Sequence, residues 1–347
     1  MCAGSGGVGK TTMSAALGVR AAELGLRTLV LTVDPAKRLA TALGLELSDD
    51  ADRSVPLKNM SGSLSAAVVD SKKVFDKFIR THASGSDVVD RIVKNRLYQQ
   101  MSTTLAGSQE FTALERLLQA SESELYDLVI LDTPPTKHAM DFLTAPQRLS
   151  SLFSETITRW FSPADEKPKG FIAAIVGKGT RTVLKSLEIL TGGQFIEELI
   201  DFFAAVRTIQ KVLRERSLAA EALLTNENTK FFVVTSFDAA KLTEATYLRG
   251  QLKRMGYRLQ AVIINRAFPL WLPDDEKESA SASESVQKMQ AFFDQFRDYY
   301  RIRYKLYEDF AAALDKSVVV ARIPEYRQDI HGLEDLKSLA ETLSSST

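Results

Sequence analysis

The chain alternates between short apolar runs and longer amphipathic stretches. RTLVLTVDP (27–35), LSAAVVD (64–70), YDLVILDTPP (126–135), KFFVVTSFD (230–238), RLQAVIINR (258–266) and SVVVARIP (317–324) are almost continuous in Val, Ile, Leu and Phe. Runs of that length and composition read as strands buried on both faces, as in a parallel sheet. Before the first of them, MCAGSGGVGKTTMSAALGVRAAELG is a glycine turn leading into a helix. Leu17, Ala21 and Leu24 would form that helix's apolar stripe, and Gly25 its stop. Helical periodicity covers 71–121, 138–226, a stretch of about 30 residues ending at Leu314, and 331–342. Strands alternating with helices predict an α/β fold with a mostly parallel sheet flanked by helices.

The long helical block interrupts the alternation. We therefore expect a core made of 1–137 and 227–347, with 138–226 as a helical insertion subdomain. Residues 275–285, which contain EKESASASES, are expected to be a mobile loop. Within the insertion, Phe195, Leu199, Phe202, Val206, Ile209 and Leu213 recur at spacings of three and four. Such a stripe is either the packing seam of the subdomain or a groove for a partner's apolar helix. No Met lies between Met140 and Met255, which argues against an adaptable groove. A second stripe, Met289, Phe293, Phe296, Tyr300, Tyr304 and Tyr307, is expected in the core.

Composition narrows the function. The 347 residues carry 44 Lys plus Arg against 44 Asp plus Glu, a formal net charge of zero. That balance disfavours nucleic acid and anionic membranes as partners. No apolar stretch approaches the ~20 residues of a spanning helix, so no direct membrane insertion is expected. The single cysteine, Cys2, excludes an intrachain disulfide and any cysteine-rich metal site, and fits the cytoplasm.

Of the 18 glycines, four fall within the first nine residues. Gly4-Ser5-Gly6-Gly7-Val8-Gly9-Lys10-Thr11 matches G-x-x-x-x-G-K-[ST] in full. Glycines let backbone N–H groups approach phosphate oxygens with no Cβ in the way. The following helix points its positive end at the same anion. Lys10 adds a full charge, and Thr11 a hydroxyl ligand for Mg²⁺. The same letters fit the dinucleotide pattern G-x-G-x-x-G through Gly4, Gly6 and Gly9, with Asp34 as a ribose-binding acid. The Lys-Thr pair and a second strand-ending acid, Asp132 in VILD, favour the P-loop NTPase reading.

Three more segments make the match specific. LTVDPAKRLA (31–40) and LDTPPTKHAMDFL (131–143) resemble the two switches of the ArsA-type ATPases. That family includes the arsenite-pump ATPase and the factor that targets tail-anchored membrane proteins. VIINR (262–266) and RIP (322–324) resemble its adenine-binding segments, and the resemblance spans nearly the whole chain. It implies a Mg²⁺-dependent ATPase. Gly6, Gly7, Val8, Gly9, Lys10, Thr11 and Thr12 would hold the phosphates of ATP. Lys10 and Asp34 would be catalytic, with Asp34 orienting the attacking water, and Thr11, Asp132 and Asp34 would form the Mg²⁺ site. Asn265 would read adenine, with Ile323 and Pro324 near the base. His138 matches a family histidine but stays outside the catalytic set.

The sequence also departs from the family. Ser5 stands where many members carry a lysine that reaches across a dimer. This suggests a homodimer, or a heterodimer with a lysine-bearing paralogue. It also leaves open a nucleotide-gated module that binds a membrane protein or other apolar helix and hydrolyses weakly. The metalloid thiols and the zinc-binding cysteines of the two branches are missing, so an arsenite-pump reading rests on homology alone. Only Met1, Cys2 and Ala3 precede Gly4, too few for the strand that should lead into the loop. The native chain is expected to be longer, or to start elsewhere.

Overall fold

The computed structural model describes residues 1–34, 38–45, 51–57, 60–83, 85–96, 98–99, 108–135, 141–145, 198, 202, 207–267, 284–326 and 329–345. In chain order the elements are β1 (Cys2–Gly4), α1 (Lys10–Glu23), β2 (Arg27–Thr32), α2 (Arg38–Leu43), β3 (Arg53–Ser54), β4 (Ser63–Val68), α3 (Ser71–His82), α4 (Ser86–Lys94), α5 (Ser108–Glu122), β5 (Leu128–Asp132), α6 (Gln210–Thr225), β6 (Phe231–Ser236), α7 (Ala239–Arg254), β7 (Leu259–Ala267), α8 (Glu284–Ala312), β8 (Val319–Pro324) and α9 (Gly332–Ser345). The strands form one sheet in the order β3-β4-β2-β5-β1-β6-β7-β8. Every pairing is parallel except that of β3 with β4. The α/β fold expected from the apolar runs is the fold observed. The short antiparallel β3 went unread, because Arg53 and Ser54 are both exposed and carry no apolar pattern.

The chain divides into two compact units. One comprises Met1–Val68, Ser123–Met140 and Thr225–Thr347; the other comprises Val69–Glu122 and Asp141–Leu224. The division differs from the expected one, since Val69–Glu122 groups with the helical block and not with the sheet. Helices α3, α4 and α5 bury their apolar stripes against each other and against α6.

In the sheet unit, α1 is buried nearly all round. Met13, Ala15, Ala16, Val19 and Ala22 share one core cluster with Val30, Leu64, Leu336, Leu339 and Ala340. The stripe read from the sequence is therefore incomplete: Ala21 is buried, Leu17 is half-buried and Leu24 is 66% exposed. Small residues carry the buried face because the helix lies close to the sheet. A Cβ on Gly18 would stand 2.7 Å from Val30 Cγ2 and 3.0 Å from a Leu64 methyl. At the strand starts, the Arg27 backbone N–H and guanidinium both donate to Asp127, which joins β2 to the entry of β5. This grip holds the Asp127 carboxyl down to about 2.

The stripe on α8 is only partly covered. Phe293, Phe296, Tyr300 and Tyr307 are half-buried, whereas Met289 and Tyr304 are exposed. Tyr307 packs on Phe237, and Phe310 is the buried residue near the helix end.

In the helical unit, Phe78, Ile92, Phe111, Phe202, Ile209 and Leu213 form one cluster, so three members of the insertion stripe pack as a seam. Phe195, Leu199 and Val206 lie outside the described residues, as do His138 and most of the expected mobile loop. Arg216 on α6 grips Glu115 on α5 through two N–H groups at 2.9 and 3.0 Å, and donates a third to Glu122. Glu115 is 2% exposed, and this fork, together with the Gln119 amide donating to Oε1 at 2.8 Å, satisfies its buried carboxylate.

Replacing Gly18 with Val would push a branched side chain into Val30 and Leu64. We expect a loss of roughly 1–3 kcal/mol, the usual cost of overpacking. A lowered urea midpoint would register it.

Candidate active site

The site is built where the carboxyl ends of β1, β2, β5 and β7 meet. Beyond β1, the backbone turns through Gly7 and Gly9 at φ 77° and 88°, in the left-handed region. Gly9 has a second constraint, because a Cβ there would stand 2.5 Å from the Asn265 amide nitrogen. The turn delivers the chain into α1, whose first residue is Lys10. Lys10 is 8% exposed, and its ammonium donates to the Ser5 carbonyl at 2.7 Å. Burial pushes its pKa down. The Asp132 charge opposes that shift, and the positive charge of Arg38 adds to it.

Strands β2 and β5 are neighbours, in a register that sets Thr32 opposite Asp132. Asp132 Oδ2 accepts from Thr11 Oγ1 at 2.6 Å and from Thr32 Oγ1 at 2.9 Å. Asp132 is 1% exposed, and its Oδ1 has no hydrogen-bond partner among the described residues. Burial raises the Asp132 pKa, against the pull of the two hydroxyls and Lys10. Thr32 Oγ1 also accepts from the Asp34 backbone N–H at 3.2 Å. The Asp34 carboxylate pairs with Arg38 at 3.4 Å. Thr133, the residue after Asp132, donates both its N–H and its hydroxyl to the Cys2 carbonyl.

A cavity of about 570 Å³ opens over these groups. Gly6, Gly7, Gly9, Lys10, Thr11, Thr12, Asp34, Asp132, Asn265 and Pro324, all named from the sequence, line it. Val8 and Ile323 do not. Both side chains are buried in the core cluster, at 3% and 0% exposure. The Val8 contribution is its carbonyl, which accepts from Asn265 Nδ2 at 2.9 Å. Asn265 Oδ1 accepts from the Arg266 N–H. The sequence reading missed Arg38, Arg266, Tyr326 and His331, which also line the cavity. It missed Thr32 as well, whose side chain is buried and hidden inside an apolar run. Arg38 lies within the segment 31–40 that resembles the first switch, four residues beyond Asp34, but was given no role.

A glycine turn, a buried ammonium, a hydroxyl and two acids line one cavity, the groups that a polyphosphate with a divalent cation would call for. On this sheet, the arrangement defines a P-loop nucleoside triphosphatase. The chain belongs to the anion-transporting ATPase family, whose sequence pattern matches residues 1–345, and it is an ATPase. It is similar to ATPase get3 of Aspergillus niger, 25% identical over 343 residues, covering 98% of this chain and 88% of that protein. ATPase GET3 of Kluyveromyces lactis is 24% identical, with 98% and 87% covered. ATPase ASNA1 homolog 1 of Paramecium tetraurelia is 22% identical, with 98% and 90% covered. Among the described residues, no helix is long and apolar enough to cross a membrane.

The Asp132 environment generates a pH signature. Its folded pKa is raised, so the protonated form is the one that folding favours. Its contribution to stability is greatest below the ordinary carboxylate value of about 3.9 and is lost as pH rises through the raised value. Asp132→Asn removes the buried charge. We expect the variant to be more stable than the parent at pH 8. The gap should close toward pH 3. Urea unfolding across pH measures it.

Proposed function

We propose that this ATPase binds ATP together with Mg²⁺ and uses hydrolysis to switch its hold on a partner protein in the cytoplasm. The observation that carries the metal reading is Asp132. Its buried Oδ1 has no partner among the described residues, while Oδ2 is fixed by Thr11 and Thr32. A buried, oriented carboxylate oxygen beside a loop threonine suits the hydration shell of a small hard cation. Thr11 would hold Mg²⁺ through its hydroxyl, and Asp132 would do so through water, with Asp34 close by. When bound, the ion supplies charge neutralisation on the phosphate oxygens.

The remaining roles belong to the chain. The Gly6–Thr12 backbone receives the phosphates, and Lys10 exchanges its bond to Ser5 for a phosphate oxygen. Asp34, at the rim of the cavity, orients the attacking water. Asn265 uses one N–H and one lone pair within the protein. Its second N–H and second lone pair suit the N7 and N6 edge of adenine.

Partner coupling is supported by chain connectivity. After Asp132 the backbone runs through Thr133, Pro134 and Pro135 and then enters the helical unit at Asp141. The partner is a homodimeric copy or a lysine-bearing paralogue, with an apolar helix as cargo. A second reading, a nucleotide-gated binder that hydrolyses poorly, is favoured by Ser5, which is 2% exposed and brings no charge to the loop.

Asp34→Asn should lower kcat by roughly a hundredfold or more, while ATP affinity stays within a few-fold. Lys10→Ala should lose ATP binding, and EDTA should stop phosphate release. Phosphate-release kinetics and equilibrium ATP binding read these outcomes, and hydrolysis by Asp34→Asn at the parent rate would overturn the role of Asp34. The same variant held with ATP should retain the partner in a pull-down, and recovery of nothing above background would count against coupling.

A further inference from the structure

Phosphoryl transfer spreads negative charge over the γ-phosphate oxygens as the bond to the leaving group lengthens, and fixed cations aimed at that charge accelerate it. The loop itself contributes one full cation, Lys10. Its second residue, Ser5, is buried and neutral. Three further basic residues line the cavity among the described residues: Arg38, Arg266 and His331. Arg266 follows Asn265 at the end of β7, and His331 precedes α9. Arg38 alone of the three pairs with Asp34, four residues before it in the chain. Its positive charge is felt at the Lys10 ammonium.

We propose that Arg38 is a catalytic residue of this ATPase, contacting the transferring phosphoryl group and supplying from the same chain the second cation that the glycine loop lacks.

The geometry fits that task. The Arg38 side chain is 65% exposed, and it contacts Asp34 loosely, through Nη1 at 3.4 Å. A guanidinium has five N–H donors, so several remain to reach a phosphate. The pairing also ties Arg38 to the acid that orients the water. As Arg38 turns to the phosphate, its ion pair with the Asp34 carboxylate gives way. The water oxygen bonds to the γ-phosphorus, and the bond to the bridging oxygen breaks, with its electron pair passing to the β-phosphate of ADP. One water proton ends on Asp34 or in solvent. Arg38 exchanges no proton and contributes only hydrogen bonds and charge.

The proposal rests on the ATPase reading, and the test separates the two. Hydrolysis and the affinities for ADP and for ADP with aluminium fluoride are measured, with Mg²⁺, for the parent, Arg38→Ala and Arg38→Lys. We expect Arg38→Ala to lose roughly a thousandfold in kcat, with Arg38→Lys in between. ADP affinity should stay within about threefold, showing an intact site, while aluminium fluoride complex affinity falls by about a hundredfold or more. Guanidinium ion at millimolar concentration should restore part of the rate of Arg38→Ala and none of Arg38→Lys. An Arg38→Ala rate within about threefold of the parent overturns the proposal, as does equal weakening of both complexes. A parent protein that neither hydrolyses ATP nor holds the aluminium fluoride complex overturns the ATPase reading and this role with it.

Discussion

A carboxylate almost sealed from water sits at the carboxyl end of β5, and the site is arranged around keeping it there. Asp132 is tolerable in that position because two threonine hydroxyls donate to one of its oxygens and an ammonium lies near it. Those partners come from two elements: Lys10 and Thr11 from the first turn of α1, and Thr32 from the end of β2. The parallel register of β2 and β5, with β1 next in the sheet, brings them together. Asp132 thus costs stability as a buried charge and returns it as a tie among the central strands. Lys10 has the mirror problem, a buried cation, and the two ease each other's desolvation.

Much of this was legible in the sequence because the relevant signals are local. The glycine loop fixes backbone geometry within six residues, and the strand-ending acids follow continuous apolar runs that announce buried strands. What was hidden depends on tertiary neighbours. Val8 and Ile323 sit inside motifs, but their side chains turn into the core, and no local pattern reveals that. The apolar stripe drawn on α1 failed because a helix covered on several sides needs small residues, and alanines blur a helical period. The stripe on α8 has the right spacing, yet only part of its length is packed. Residues 69–122 looked like ordinary crossover helices. Their allegiance to the helical unit comes from contacts with α6, about a hundred residues further along the chain.

The two-unit division gives the site a particular relation to the rest of the chain. The polypeptide leaves the sheet unit after β4, returns to make β5 and leaves again soon after Asp132. A helical unit built from both excursions is therefore joined covalently to the strand that carries the buried acid. Its own coherence comes from the Arg216 fork between α5 and α6 and from one shared aromatic seam.

Thr133 gives that connection a mechanical character. Its N–H and hydroxyl both grip the carbonyl of Cys2 on the neighbouring central strand, so the chain is clamped immediately after the acid. Two prolines follow, with narrow backbone freedom. The stretch therefore behaves as a fulcrum with a stiff arm. Pull arriving along the chain from the helical side is borne at Thr133, and Asp132 keeps its place. The acid is thereby pinned to the centre of the sheet at the point where the chain turns away from it.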